Sequence, residues 1–113
     1  MLTIYHNPRC RKSRETLELI RESDNLVEIV EYLDDQLSAD ELEELLEKLG
    51  MKAEQLVRKQ EAIYKEKFKG KQLTEQEWIE AMAEYPKLIE RPIVVKEDKA
   101  VLGRPPENVK ELF

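Results

Sequence analysis

The chain has 113 residues, of which 39% are charged and 6% aromatic, and its formal net charge is −6. This length suits one domain with a single core, and the acidic balance argues against nucleic-acid binding, which relies on Lys and Arg. The chain lacks the ~20-residue apolar run of a membrane span and the pattern of a signal peptide, so we expect a cytoplasmic protein.

The N-terminal third alternates between strand and helix signals. Residues 2–5, LTIY, predict a short strand that ends at the turn signal Asn7-Pro8. An apolar helical face follows Cys10 and ends near residues 23–25. Residues 26–32, LVEIVEY, alternate apolar and polar side chains and predict a second strand.

Two helix starts in the middle of the chain have the same signature. Ser38 is followed three residues later by Glu41, and Thr74 by Glu77, and each pair forms the pattern of a capping box. Apolar residues at helical spacing follow both pairs. We therefore predict a helical stretch over residues 38–89.

The C-terminal part returns to strands. PIVV at 92–95 and AVL at 100–102 flank KEDK, which predicts a hairpin, and Pro106 stands where a last helix would begin. The order β-α-β, helices, β-β-α predicts an α/β fold, a thioredoxin-like mixed four-stranded sheet with a helical insertion. We find no linker, so residues 1–113 are expected to form one domain.

The only cysteine, Cys10, lies in the cationic segment HNPRCRKSR at 6–14. A helix N-terminus and nearby guanidinium groups both favour the thiolate, which lowers a thiol pKa below the free value of roughly 8.5. A buried, inert cysteine is the alternative, but Arg9 and Arg11 flank this one. Cys10 is therefore a candidate nucleophile.

Its spacing to neighbouring residues excludes two familiar loops. Cys10 and Arg14 form C-x3-R rather than the C-x5-R of tyrosine phosphatases, and Ser13 stands where a C-x-x-C motif would have its second cysteine. Ser13 could hydrogen-bond the thiolate but cannot resolve a mixed disulfide. An external thiol must therefore regenerate Cys10.

At this point the sequence resembles a known family. The segments IYHNPRCRKSRETLELI, LVRK, RPIVV and LGRPPE are similar, in this order, to those of glutaredoxin-dependent arsenate reductases of the ArsC type. The resemblance implies a thioredoxin-like fold and reduction of arsenate to arsenite. It also implies glutathione as co-substrate and glutaredoxin as partner. We expect no bound cofactor, no metal site and a monomer.

The resemblance also assigns residues. Cys10 is implied as the nucleophile, and Arg58, Arg91 and Arg104 are implied as the ligands of the oxyanion. Guanidinium groups suit this task because they bind a tetrahedral oxyanion through two parallel hydrogen bonds, whereas lysine is a point charge. Pro92 is the candidate for a cis-proline.

Four residues around Cys10 are expected to support the thiolate or its loop: His6, Asn7, Ser13 and Arg14. His6 could act as a cation near the thiolate, or it could hydrogen-bond the turn that positions Cys10.

Two other functions stay open on the sequence. A glutathione-linked thiol oxidoreductase of this fold could act on another substrate. A regulator resembling the Spx proteins, which bind RNA polymerase, would share the fold, but such regulators usually carry C-x-x-C, and Ser13 breaks that motif.

Overall fold

The computed structural model describes residues 1–113, and its internal contacts group them into two compact units. One unit comprises Met1–Asp35 and Arg91–Phe113, and the other comprises Gln36–Glu90. The bounds of the second unit differ by only one or two residues from those of the predicted insertion over 38–89. The expectation of one domain over 1–113 stays a prediction.

A four-stranded sheet organises the first unit. Strands β1 (Leu2–Tyr5), β2 (Val27–Val30), β3 (Ile93–Lys96) and β4 (Lys99–Leu102) lie in the order β2-β1-β3-β4. β2 is parallel to β1, and the other two pairs are antiparallel. The predicted thioredoxin-like mixed sheet is therefore confirmed.

One core covers a face of this sheet. Helix α1 (Arg11–Glu22) contributes Leu17 and Ile20, and these residues cluster with Ile4 and Val94 of the strands. Val27–Val30 is shorter than the predicted 26–32 because its partner β1 offers only four residues for pairing. The core fixes α1 against the sheet, and with it the position of the residue that begins the helix.

The last helix differs from the expected α-helix. Pro106–Leu112 is a 3-10 helix, and its buried residues are Pro106, Val109 and Leu112. A 3-10 helix has three residues per turn, so side chains spaced by three lie on one face. This spacing buries all three side chains on one face, and Val109 and Leu112 join the core.

The second unit is helical. Its α-helices are α2 (Ala39–Leu49), α3 (Ala53–Leu56), α4 (Ala62–Lys67) and α5 (Glu75–Glu84), followed by a 3-10 helix at Pro86–Leu88. The buried side chains of Leu42, Trp78 and Met82 contribute to its interior. No helix of either unit is long and apolar enough to cross a membrane.

Both predicted capping boxes are confirmed. The hydroxyl of Ser38 accepts a hydrogen bond from the Glu41 backbone N–H, and the Glu41 carboxylate accepts one from the Ser38 N–H. Thr74 and Glu77 repeat the arrangement at the start of α5. These bonds satisfy backbone donors that a helix start otherwise leaves without partners.

Candidate active site

Cys10 stands between β1 and α1, at the N-cap position of the helix. Its backbone N–H donates to the Asn7 carbonyl at 3.0 Å, and its own carbonyl accepts from the Arg14 N–H at 3.0 Å. The loop after β1 and the first turn of α1 therefore hold Cys10 from both sides. The residue is half-buried and its thiol is free.

The surroundings of Cys10 lower its pKa. Burial is the largest single effect and raises the pKa. Four smaller effects together outweigh it: the backbone N–H of Ser13, the charge of Arg91, the backbone N–H of Lys12 and a side-chain hydrogen bond from Arg91. A helix start supplies unpaired N–H groups of this kind, and they favour the thiolate.

The cationic side chains next to Cys10 in sequence have other roles. Arg9 and Arg11 are exposed, and Arg11 forms an ion pair of 3.5 Å with Glu15. Arg14 donates from Nη1 to the carbonyl of Pro8 at 3.0 Å and so braces the loop. The guanidinium group that acts on the thiol belongs to Arg91.

His6 and Ser13 form a buried contact beneath this loop. Nδ1 of His6 lies 2.6 Å from the Ser13 hydroxyl oxygen, and the Asn7 N–H donates to the same oxygen at 3.1 Å. The hydroxyl of Ser13 is therefore engaged with His6 and Asn7, while its backbone N–H is the group that favours the thiolate.

The pKa of His6 is lowered below 6.5. Burial is the largest cause, the Glu31 carboxylate opposes it, and Arg21 and Arg14 act in the same direction as burial. The imidazole is thus neutral at pH 7, which favours the second of the two roles expected for His6, a hydrogen bond that shapes the turn.

Arg91 and Arg104 stand at the open end of the β3–β4 hairpin. Arg104 donates from Nη1 to the Arg91 carbonyl at 3.0 Å, and Nε of Arg91 is buried without a hydrogen-bond partner. The Arg91-Pro92 peptide bond is cis, and so is Arg104-Pro105. The first unit therefore brings Cys10, Arg91 and Arg104 into one chain of contacts.

Arg58 belongs to the second unit and contacts two carboxylates there. Its Nε lies 3.2 Å from Glu61 Oε2, and its Nη1 lies 3.6 Å from Glu90 Oε1. A short bridge between Val57 and Ile89 holds this pair of segments together. The role of Arg58 as an oxyanion ligand stays a prediction.

This arrangement offers an activated nucleophile with a guanidinium donor beside it. The sequence predicts the helix start and the reactive cysteine, but it does not identify the N–H groups of Lys12 and Ser13 as the backbone groups that favour the thiolate. The capping position of Cys10 was the signal that could have revealed them, because a cap residue faces the N–H groups two and three positions later.

The chain is similar to known proteins over nearly its whole length. The model of the ArsC family matches residues 5–112. The arsenate reductase of Haemophilus influenzae is 45% identical over 113 residues, which cover 97% of each chain. The uncharacterized protein YfgD of Escherichia coli K12 is 50% identical over 111 residues, which cover 96% of this chain and 93% of that protein.

A solved structure shares the fold of this chain. The arsenate reductase from Vibrio cholerae superimposes with a TM-score of 0.95 at 45% identity, and the match covers 99% of this chain and 97% of that chain.

Proposed function

The chain belongs to the ArsC family, and from this membership and the geometry at Cys10 we propose that it reduces arsenate to arsenite. The observation that carries the proposal is the free thiol of Cys10 at the N-cap of α1, where the Arg91 guanidinium helps to lower its pKa. A thiolate is the form that attacks, and a guanidinium group is the form of cation that binds an oxyanion through two hydrogen bonds.

In the first step, the Cys10 thiolate attacks the arsenic atom. An arsenic–sulfur bond forms and an arsenic–oxygen bond breaks, and the oxygen leaves as hydroxide or, after taking up a proton, as water. Arg91 and Arg104 stabilise the negative charge of the oxygens during this exchange. Arg58 is proposed as a third ligand on the basis of its sequence context, QLVRKQE.

The reduction itself needs a second thiol. Reducing arsenic from the +5 to the +3 state takes two electrons, and the oxidation of two thiols to one disulfide supplies them with two protons. Cys10 is the only cysteine of the chain, so the other sulfur comes from outside. We propose glutathione for this sulfur and glutaredoxin for the reduction of the resulting disulfide.

The test is a coupled assay that follows NADPH oxidation. It contains arsenate, glutathione, glutaredoxin and glutathione reductase, and we expect turnover with the wild-type chain and none with Cys10→Ser. Omission of glutathione should abolish turnover, and thioredoxin with its reductase should replace the glutathione system poorly. Full activity with thioredoxin alone would contradict the proposed electron supply.

The same assay distinguishes the other functions. If arsenate gives no turnover while a mixed disulfide of glutathione does, the chain is a thiol oxidoreductase with another substrate. If neither substrate gives turnover although Cys10 alkylates as a thiolate, a binding role such as that of the Spx-like regulators replaces arsenate reduction as the proposed function.

A further inference from the structure

Three segments of the first unit meet at Gly103, which is buried at the end of β4. The Gly103 N–H donates to the Pro92 carbonyl at 2.8 Å. From α1, the hydroxyl of Thr16 donates to the Lys12 carbonyl at 2.7 Å and lies 3.5 Å from the Gly103 carbonyl. The residues next in sequence to Pro92 and Gly103 are Arg91 and Arg104.

This meeting point has no room for a side chain on Gly103. A Cβ atom there would lie 2.7 Å from Thr16 Oγ1, 3.1 Å from Thr16 Cγ2 and 2.8 Å from Pro92 Cγ. The approaches to Thr16 Oγ1 and Pro92 Cγ are closer than real Cβ atoms come to other heavy atoms, since carbon contacts are optimal near ~3.5–4.0 Å. Gly103 does not have a positive φ, so the restriction at this position is one of space.

The neighbours of Gly103 leave it little freedom to move away. The side-chain amide of Asn108 donates to the carbonyls of Leu102 and Arg104 at 3.1 and 3.2 Å. Thr16 is fully buried on α1, and Leu17 beside it belongs to the core. A methyl group at position 103 would therefore require a shift at Thr16, at Pro92 or at Gly103 itself, and the last two shifts move Arg91 or Arg104.

We propose that Gly103 and Thr16 are positioning residues: the missing side chain at 103 lets the end of β4 close on Thr16 and Pro92, and this contact sets where Arg91 and Arg104 stand relative to Cys10. Neither residue touches the reacting atoms. Both act through the two arginines. Thr16 lies on α1, the helix whose N-cap residue is Cys10.

The first variant is Gly103→Ala, which adds one methyl group and changes no charge. Displacement of reacting groups by ~1 Å costs up to ~100-fold in rate, so we expect kcat/KM for arsenate to fall by roughly 10- to 100-fold, mainly through KM. The midpoint of Cys10 alkylation against pH should rise, because Arg91 no longer favours the thiolate.

Two second-site variants separate space from hydrogen bonding. Thr16→Ala removes both Thr16 atoms that a Cβ at position 103 would meet, so Gly103→Ala/Thr16→Ala should recover part of the lost activity and part of the midpoint. Thr16→Val replaces the hydroxyl by a methyl group of similar volume. Gly103→Ala/Thr16→Val should therefore recover neither the activity nor the midpoint of alkylation. Equal recovery with Ala and Val would overturn the inference, as would wild-type values for Gly103→Ala.

If Gly103→Ala alone does not fold, the double variant with Thr16→Ala is measured against Thr16→Ala. The approach to Pro92 Cγ remains there, so both KM and the midpoint should still rise, and identical values would overturn the inference. Only the KM measurement rests on the proposed arsenate reduction. Alkylation needs no arsenate, so a shifted midpoint supports the positioning role even if the wild-type chain does not reduce arsenate.

Discussion

Nδ1 of His6 lies 2.6 Å from the hydroxyl oxygen of Ser13, with both side chains buried under the loop that carries Cys10. The Asn7 N–H donates to the same oxygen, so the Ser13 hydroxyl joins the imidazole to the backbone of the loop. The only histidine of the chain thus hydrogen-bonds within the fold.

The first prediction concerns the pH dependence of stability. Burial, the largest cause, lowers the pKa of His6 in the folded state below its unfolded value of 6.5, so the unfolded chain binds a proton more readily. The stability contributed by neutral His6 is complete above the unfolded pKa and is lost as the pH falls below it. Urea unfolding of the wild type should therefore show a lower free energy at about pH 5.5 than at about pH 7.5.

The control for this prediction is His6→Gln, which offers the Ser13 hydroxyl an acceptor but does not titrate. We expect its free energy of unfolding to change less between the two pH values than that of the wild type. Parallel pH profiles for both proteins would assign the dependence to the carboxylates instead.

The second prediction compares two arginines near Cys10. Arg91→Met should raise the pKa of Cys10, since it removes both the charge and the hydrogen bond that favour the thiolate. Arg11→Met should leave it unchanged, because Arg11 is exposed and paired with Glu15. The pH profile of alkylation by iodoacetamide measures both, and a rise of equal size in the two variants would contradict the assignment to Arg91.

The third prediction tests the proposed oxyanion ligands Arg58, Arg91 and Arg104. Replacing any of them by Lys should be nearly as damaging as replacing it by Ala, because lysine keeps the charge but loses the paired donors. Losing a charge-assisted hydrogen bond costs ~1.5–3 kcal/mol, or roughly one to two decades in kcat/KM for arsenate. Arg11→Lys is the matched control, and an equally small effect of all four changes would remove the oxyanion site.

The fourth prediction separates a structural role of Arg58 from a binding role. Arg58 and Glu90 are both more than three-quarters buried at their side chains, 19% and 24% exposed. Arg58→Ala leaves the Glu90 carboxylate without this partner and should lower the free energy of unfolding by between ~1 and ~3 kcal/mol. Glu90→Gln in the same chain should restore part of the stability but none of the arsenate activity. Recovery of activity together with stability would show that Arg58 acts only through the fold.

Local signals made much of the fold predictable. The capping boxes at Ser38 and Thr74 depend on side chains three residues apart, and the hairpin depends on a turn between two apolar runs. Pro106–Leu112 was predicted as an α-helix because its proline suits either kind of helix start. The three-residue spacing of its core contacts becomes visible only when the sheet that it covers is known.

From the residues alone, only the cysteine of the site was predictable. The family resemblance implied Arg91 and Arg104 as oxyanion ligands, but it did not imply an effect of Arg91 on the thiol. The cationic neighbours of Cys10 in sequence indicated a reactive thiol, yet Arg91, from the other end of the chain, is the side chain that lowers its pKa. Such a contact depends on the pairing of β3 with β1, and no local pattern encodes it. The lack of space at Gly103 is likewise a property of three segments together.

The β3–β4 hairpin has a consequence for insertions and deletions. Ile93 pairs with Leu102 at the end beside the arginines, whereas Lys96 pairs with Lys99 at the other end, across a turn of Glu97 and Asp98. Residues added to that turn lengthen an exposed loop and leave the ladder in register, while a single residue added within either strand shifts every later pair to the opposite face. A tag, a label or a foreign loop can therefore be inserted at this turn without changing the positions of Arg91 and Arg104 in space.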